Sequence, residues 1–201
     1  MDLAEVSGRL VTAGALERLR EYERMVVAEN ARQNLVSRGT IGSFWTRHVI
    51  DSAQLLRFVP NSDATWADVG SGAGLPGVVV ACIGAGKVTL IEPRALRANF
   101  LRRVVAALEL DAEVIQAKAE RVRGSFDVVT ARAVTALDRL LHLSQSFSTS
   151  KTRFLFPKGK SARIELAAAR REWHGSFHVK QSVTDVDSFI IVAQDVKARI
   201  G

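Results

Sequence analysis

Apolar residues recur at spacings of three and four between Leu10 and Ser37. Leu16, Leu19, Tyr22, Met25 and Val26 alternate there with charged positions, which predicts an amphipathic helix. Gly39 interrupts the pattern. A second helix is predicted over Ile41–Phe58, with Trp45, Val49, Leu55 and Leu56 available for burial, closed by the turn-forming run Pro60-Asn61-Ser62-Asp63. Residues 1–63 therefore read as a helical N-terminal portion. From Ala64 the period changes, and short β-branched runs alternate with helical stretches, as in repeated βαβ units on a parallel sheet. The predicted strands are Trp66–Val69, Lys87–Ile91, Ala112–Gln116, Phe126–Thr130, Arg153–Phe156, Phe177–Val183 and Ser188–Ala193. Helical patterns at Leu75–Ile83, Arg94–Leu110, Thr135–Gln145 and Ser161–Arg171 separate the first five and follow the fifth. Thr184–Asp187 is too short for a crossover helix, so the last two strands are expected to form an antiparallel hairpin at a sheet edge. Residues 64–201 thus read as one α/β domain with a seven-stranded, mostly parallel sheet.

The glycines give this pattern a ligand. Asp68-Val69-Gly70-Ser71-Gly72-Ala73-Gly74-Leu75-Pro76-Gly77 stands where the first strand turns into the first crossover helix. Glycines there let backbone approach a ligand closely, beside the unpaired N–H groups of a helix start. Formally, Gly72-x-Gly74-x-x-Gly77 fits a dinucleotide fingerprint, with Glu92 at the right distance for a ribose. The register Asp68-x-Gly70-x-Gly72-x-Gly74 opens on an acid, however, which repels a pyrophosphate and suits a cofactor bearing an ammonium group. Glu92 ends the second strand, where a carboxylate can accept both ribose hydroxyls or cap the next helix. Ala119-Glu120 follow the third strand, and all these positions lie at strand carboxyl ends, where open α/β sheets bind ligands. S-adenosylmethionine is the cofactor these residues favour, on a Rossmann-like sheet of the class I methyltransferase type. The cofactor candidates read from this pattern are Asp68, Gly70, Gly72, Gly74, Glu92, Ala119 and Glu120.

Charge bears on the acceptor. Twenty-eight Lys and Arg against 21 Asp and Glu give the 201-residue chain a formal charge of +7, which favours a polyanionic partner or simply a soluble surface. The single cysteine, Cys82, forms no internal disulfide and builds no Cys-rich zinc site, so a reducing compartment, the cytoplasm, is expected and no metal. No leader pattern and no run of about 18 apolar residues occurs, which disfavours secretion and membrane spanning. A monomer is expected.

The chain resembles the bacterial 16S ribosomal RNA guanine-N7 methyltransferases, also called glucose-inhibited division protein B. The resemblance rests on Asn34-Leu35-Val36, Arg47-His48-x-x-Asp51-Ser52, the Asp68–Gly77 loop with its Leu-Pro-Gly extension, Phe100-Leu101, Ala119-Glu120, Phe126-Asp127 and Arg132-Ala133. These pieces run in order over roughly residues 20 to 195. The resemblance implies a cofactor site lined by Gly70, Leu75, Ala119, Glu120 and Arg132 with Glu92 at the ribose. It also implies a guanine of the 530-loop region of 16S ribosomal RNA, in free RNA or in the small subunit or its assembly intermediate, as substrate.

Guanine N7 carries a lone pair and no proton, so an in-line methyl transfer there needs positioning and no general base. Thr130-Ala131-Arg132-Ala133 lacks the Asn/Asp-Pro-Pro-aromatic cluster that accepts an exocyclic amine. Cys82 falls in an apolar helix and reads as core, not as a nucleophile. Arg132 can orient the cofactor carboxylate or a substrate phosphate, or it can form a structural ion pair. Arg47 and His48 can touch RNA or join the helical portion to the catalytic domain. Lys158, Lys160 and Arg163, just past the fifth strand, can hold RNA phosphates. Arg102 and Arg103 read as a solvated helix face, and Phe44, Trp45 and Trp173 as core. Two readings of other kinds stand beside this one: a methyltransferase acting on a small molecule or protein, and a non-catalytic RNA-binding or ribosome-assembly module. A nucleotide-dependent oxidoreductase is a more distant third.

Overall fold

The computed structural model describes residues 1–199. Seven strands form one sheet in the order β3-β2-β1-β4-β5-β7-β6, where β1 is Trp66–Val69, β2 Val88–Ile91, β3 Ala112–Ile115, β4 Val128–Thr130, β5 Arg153–Lys158, β6 Trp173–Gln181 and β7 Phe189–Ala198. The first five are parallel, β7 pairs antiparallel with β5, and β6 closes the edge as the far arm of the hairpin. Every residue of β1, β2 and β4 is buried, as expected for strands covered on both faces.

Helices α1 (Leu3–Ser7), α2 (Ala13–Gln33), α3 (Arg38–Ile41) and α4 (Asp51–Ala53) precede the sheet. They are followed by α5 (Gly77–Ile83) and α6 (Ala95–Ala107) within it, and then by α7 (Leu137–Ser144) and α8 (Ala162–Glu172). In α2 the Thr12 hydroxyl accepts from Ala15 N at 3.1 Å, Asn34 ends the helix in the left-handed region, and the stripe Ala15, Leu19, Tyr22, Val26 is buried. Leu19, Tyr22 and Val26 belong to the same cluster as Val78, Val79, Leu90, Phe100 and Leu101, so α2 packs over α5 and α6 on one face of the sheet. The opposite face is filled by Leu137, Leu141, Phe154, Phe156, Leu166 and Trp173 under α7 and α8.

Three elements differ from the sequence reading. The segment predicted as one helix over Ile41–Phe58 is α3, a π-helical turn at Trp45–Ile50, α4 and a 3-10 turn at Gln54–Phe58. Neighbouring residues Val49, Ile50, Leu55 and Leu56 are all buried there, so packing on several sides shapes the backbone more than one period does. Strand β6 begins at Trp173, four residues before its predicted start. The register shifts by one residue between His174 and Ser176, the extra residue lying on β7 where Asp195 has φ +51°, while Trp173 and Phe177, four positions apart, share the buried face. Helix α1 was unpredicted, although Asp2 caps its start and Gly8 its end at φ +65°.

Candidate active site

The glycine loop leaves β1 at Val69 and enters α5 at Gly77, at the carboxyl edge of the sheet. Gly70, Gly72 and Gly74 have φ of +66°, +58° and +103°, a region costly for any residue with a Cβ. The glycines serve different ends. A Cβ at Gly74 would lie 2.6 Å from Val78 Cγ2, and one at Gly77 would lie 2.3 Å from Leu90 Cδ2 and 2.8 Å from Asp68 Oδ2, so both are required by internal packing. Leu75 is itself buried in the core beside them. A Cβ at Gly72 would meet Arg97 Nη1 and Gly70 O, both at 3.7 Å, an ordinary contact, and the residue keeps some exposure. Gly70 does too, while Gly74 and Leu75, also expected to line the site, are buried.

Asp68 is also turned inward. Its side chain is buried behind the loop, with Oδ2 accepting from Gly77 N at 3.2 Å and Oδ1 lacking any hydrogen-bond partner. Burial raises its carboxyl from 3.8 to about 7. Between those values the folded protein keeps a proton that the unfolded chain has released, so stability falls as pH rises through this window and the full cost remains above it. Asp68→Asn carries no such cost. The stability of the variant relative to wild type, from urea denaturation, is expected to rise by a few kcal/mol from pH 5 to pH 8. A difference independent of pH would show that the carboxylate ionises freely.

Glu92 is buried, and its two oxygens accept from Gly72 N and Arg94 N, both at 2.9 Å. One carboxylate thereby clamps the glycine loop to Arg94, the residue that precedes α6. Beside it is a cavity of about 290 Å³, lined among others by Gly70, Pro93, Ala119, Glu120, Val134 and Leu143. Glu120 reaches Arg139 at 3.0 Å on its rim. Two residues absent from the sequence reading belong to this neighbourhood: Arg97, whose Nη1 lies 3.7 Å from the position of a Gly72 Cβ, and Val134, whose Cγ2 lies 2.8 Å from that of a Gly70 Cβ. No local pattern marks either, because each arrives from a different loop or helix.

Val134 and Thr135 also wall a second cavity of about 460 Å³, floored by Pro157 and Phe189 and bearing Asp51, Arg132, Lys158 and Glu165. Here charges are largely matched. Arg132 lies 3.5 Å from Asp51 Oδ2 and donates to His48 Nδ1 at 3.1 Å. His48 is buried and contacts Thr40 Oγ1 at 3.0 Å through Nε2, and burial together with the Arg132 and Arg47 cations lowers its pKa to about 4. It is a neutral acceptor at physiological pH. Asp51 Oδ1 accepts from Gln54 and Thr184, both at 2.9 Å, and from Ser182 at 3.2 Å, tying the helical portion to the β6–β7 loop. Arg47 pairs with Asp185 in the same loop at 2.5 Å. Of the two roles left open by the sequence, His48 takes that of a joint between elements, and Arg132 stands in the ion pair with Asp51.

Lys158, expected to hold an RNA phosphate, has partners within the protein: its ammonium is 2.8 Å from Glu165, donates to Thr135 O at 2.6 Å, and its side chain is 11% exposed. That pairing holds the Glu165 carboxyl below its usual range despite partial burial. Lys160 pairs with Asp187 at 3.0 Å but is 79% exposed, and Arg163 lies over the Phe189 ring at 5.6 Å. Cys82 is buried, and burial pushes its thiol up to about 12, so it is core as predicted. Phe44 and Trp173 are core too, the latter donating to Asp138 at 2.8 Å. Arg103 meets Glu29 at 2.6 Å on the solvated side of α6. No described helix is long and apolar enough to cross a membrane.

Comparison with known proteins agrees with this arrangement. A family model described as rRNA small subunit methyltransferase G matches residues 15–190. Proteins named ribosomal RNA small subunit methyltransferase G from Sphingopyxis alaskensis and Rhizorhabdus wittichii are 47% and 42% identical over 177 and 201 residues. These alignments cover 87% and 98% of this chain and 76% and 92% of theirs. Among solved structures, a SAM-dependent methyltransferase from Aquifex aeolicus superposes with a TM-score of 0.62 at 16% identity, over 76% of this chain and 93% of that one. A ribosomal protein L11 methylase from Lactobacillus delbrueckii gives 0.56 at 18%, over 77% and 80%. At such identities these two likenesses show the fold alone.

Proposed function

The chain belongs to the rRNA small subunit methyltransferase G family, and on that premise we propose that it methylates N7 of a guanine in the 530-loop region of 16S ribosomal RNA, using S-adenosylmethionine. The observation that carries the reading is the pair of cavities at the carboxyl edge of the sheet, which share the Val134–Thr135 wall. A donor in one and an acceptor in the other lie side by side.

The residues of the first cavity fit the cofactor. Gly70–Gly72 offer close backbone approach, Glu92 has lone pairs left for ribose hydroxyls, and Ala119 with Pro93 and Leu143 gives an apolar bed for an adenine. When bound, S-adenosylmethionine supplies a methyl group on a sulfonium sulfur. The second cavity suits guanine: the carboxylates of Glu165 and Asp51 can accept from N1–H and the N2 amine, while Lys158 and Arg132 can donate to O6. N7 is then left unbonded and without a proton to remove. Holding the base in line is the chain's main contribution, one that reaches about 7–11 kcal/mol in well-oriented systems. The Asp51–Arg132–His48 network would fix the guanidinium at the cavity wall.

The test is to incubate the protein and methyl-labelled S-adenosylmethionine with assembled small subunits, free small-subunit RNA or total ribosomal protein. Label in RNA is expected. Label in protein, or none with cofactor bound, overturns the reading.

A further inference from the structure

A groove of about 410 Å³ runs between α8 and β6, with Leu166, Ala167, Phe177 and Val179 as its floor and Arg163 and Arg170 on its helix side. The two arginines are seven residues apart on one helix, two turns or about 10 Å along its axis. At the far end Arg199 donates through Nε to Arg170 O at 3.2 Å, adding a third guanidinium, and Arg170 itself donates to Phe177 O at 3.2 Å. All three are exposed. Among the described residues none of them lies in an ion pair, in contrast to Lys158 and Lys160 in the preceding loop. The groove adjoins the acceptor cavity through one contact: Arg163, which lines the groove, lies 5.6 Å over the ring of Phe189, which lines that cavity.

We propose that this groove carries the single-stranded RNA adjoining the target base, with Arg163, Arg170 and Arg199 on successive phosphates. The inference rests on the reading of the second cavity as the acceptor site. Three unneutralised guanidinium groups along an apolar floor combine what single strands require, charge that tracks the backbone and a surface on which bases lie. A guanidinium seated over an aromatic ring at the entrance keeps N–H groups for a phosphate beside an apolar surface for a base. A base extruded into the acceptor cavity needs its flanking strand to leave in one direction, and the Arg163–Phe189 junction supplies that exit.

The experiment is binding of small-subunit RNA to wild type and to the double variant Arg163→Gln, Arg170→Gln over a series of salt concentrations, with Arg20→Gln, Arg24→Gln on α2 as a control. Each contact to a single strand contributes about 0.7 to the slope of log affinity against log salt, so the double variant is expected to flatten it by about 1.4. The control should leave the slope in place, and S-adenosylmethionine affinity should be unchanged in all three proteins. An unchanged slope in the groove variant, or equal flattening in the control, overturns the groove while leaving the acceptor reading intact if wild type still methylates the RNA. Failure of wild type to bind or methylate RNA, both free and in the small subunit, overturns both.

Discussion

Gly72→Val is expected to abolish S-adenosylmethionine binding in a protein that still folds. At φ +58° the backbone is held where an L-residue costs about 1–2 kcal/mol, and a β-branched side chain has few rotamers with which to accommodate it. Nothing in the protein blocks the new side chain, since the nearest atoms are 3.7 Å from its Cβ. It would stand instead over the loop and disturb the N–H that Glu92 holds at 2.9 Å. Calorimetric titration should show a loss of at least about 100-fold, equivalent to about 2.8 kcal/mol, with the circular dichroism spectrum retained. Gly77→Val provides the contrast: its Cβ would meet Leu90 at 2.3 Å, and that variant should lose fold and binding together. Wild-type affinity in a folded Gly72→Val protein would move the cofactor off this loop.

The next largest effect is expected from Glu92→Ala. Its carboxylate accepts from Gly72 N and Arg94 N, the proposed function gives it a ribose as well, and hydrogen bonds to a charged group contribute about 1.5–3 kcal/mol. Cofactor affinity should therefore fall by about 10- to 150-fold. Glu92→Gln, which keeps one carbonyl acceptor and the side-chain volume, should fall less. The comparison separates the loop clamp from the ribose contact, because the clamp needs an acceptor whereas the charge adds strength to both. An alanine variant within twofold of wild type would place the ribose elsewhere.

These residues also mark how far a sequence can be read. Trp66–Val69 was delimited to the residue, and the hairpin after β5 followed from a four-residue connection, because buried parallel strands are continuous apolar runs and short links forbid crossovers. Glu92 was legible because its position depends only on the end of β2. Asp68, His48 and Lys158 were legible as positions but not as directions. Asp68 points behind the loop because Gly77 N–H is there to receive it, and Lys158 is neutralised by Glu165 from the next helix. Such pairings arise from how loops fold over one another, and no local period encodes them. The same holds for Val134 over Gly70 and for the π-helical turn that carries His48 into contact with Arg132.

The central claim is transfer to one ring nitrogen of one guanine. Small subunits lacking the modification would be incubated with the protein and cofactor, and the RNA then treated by reduction and aniline, which cleaves the chain at N7-methylguanine. The cleavage sites would be read by primer extension. A single new stop is expected in the 530-loop region, dependent on the protein and on S-adenosylmethionine and absent with Gly72→Val. Label incorporated into RNA with no aniline-sensitive site, or with the stop in another region, would contradict it.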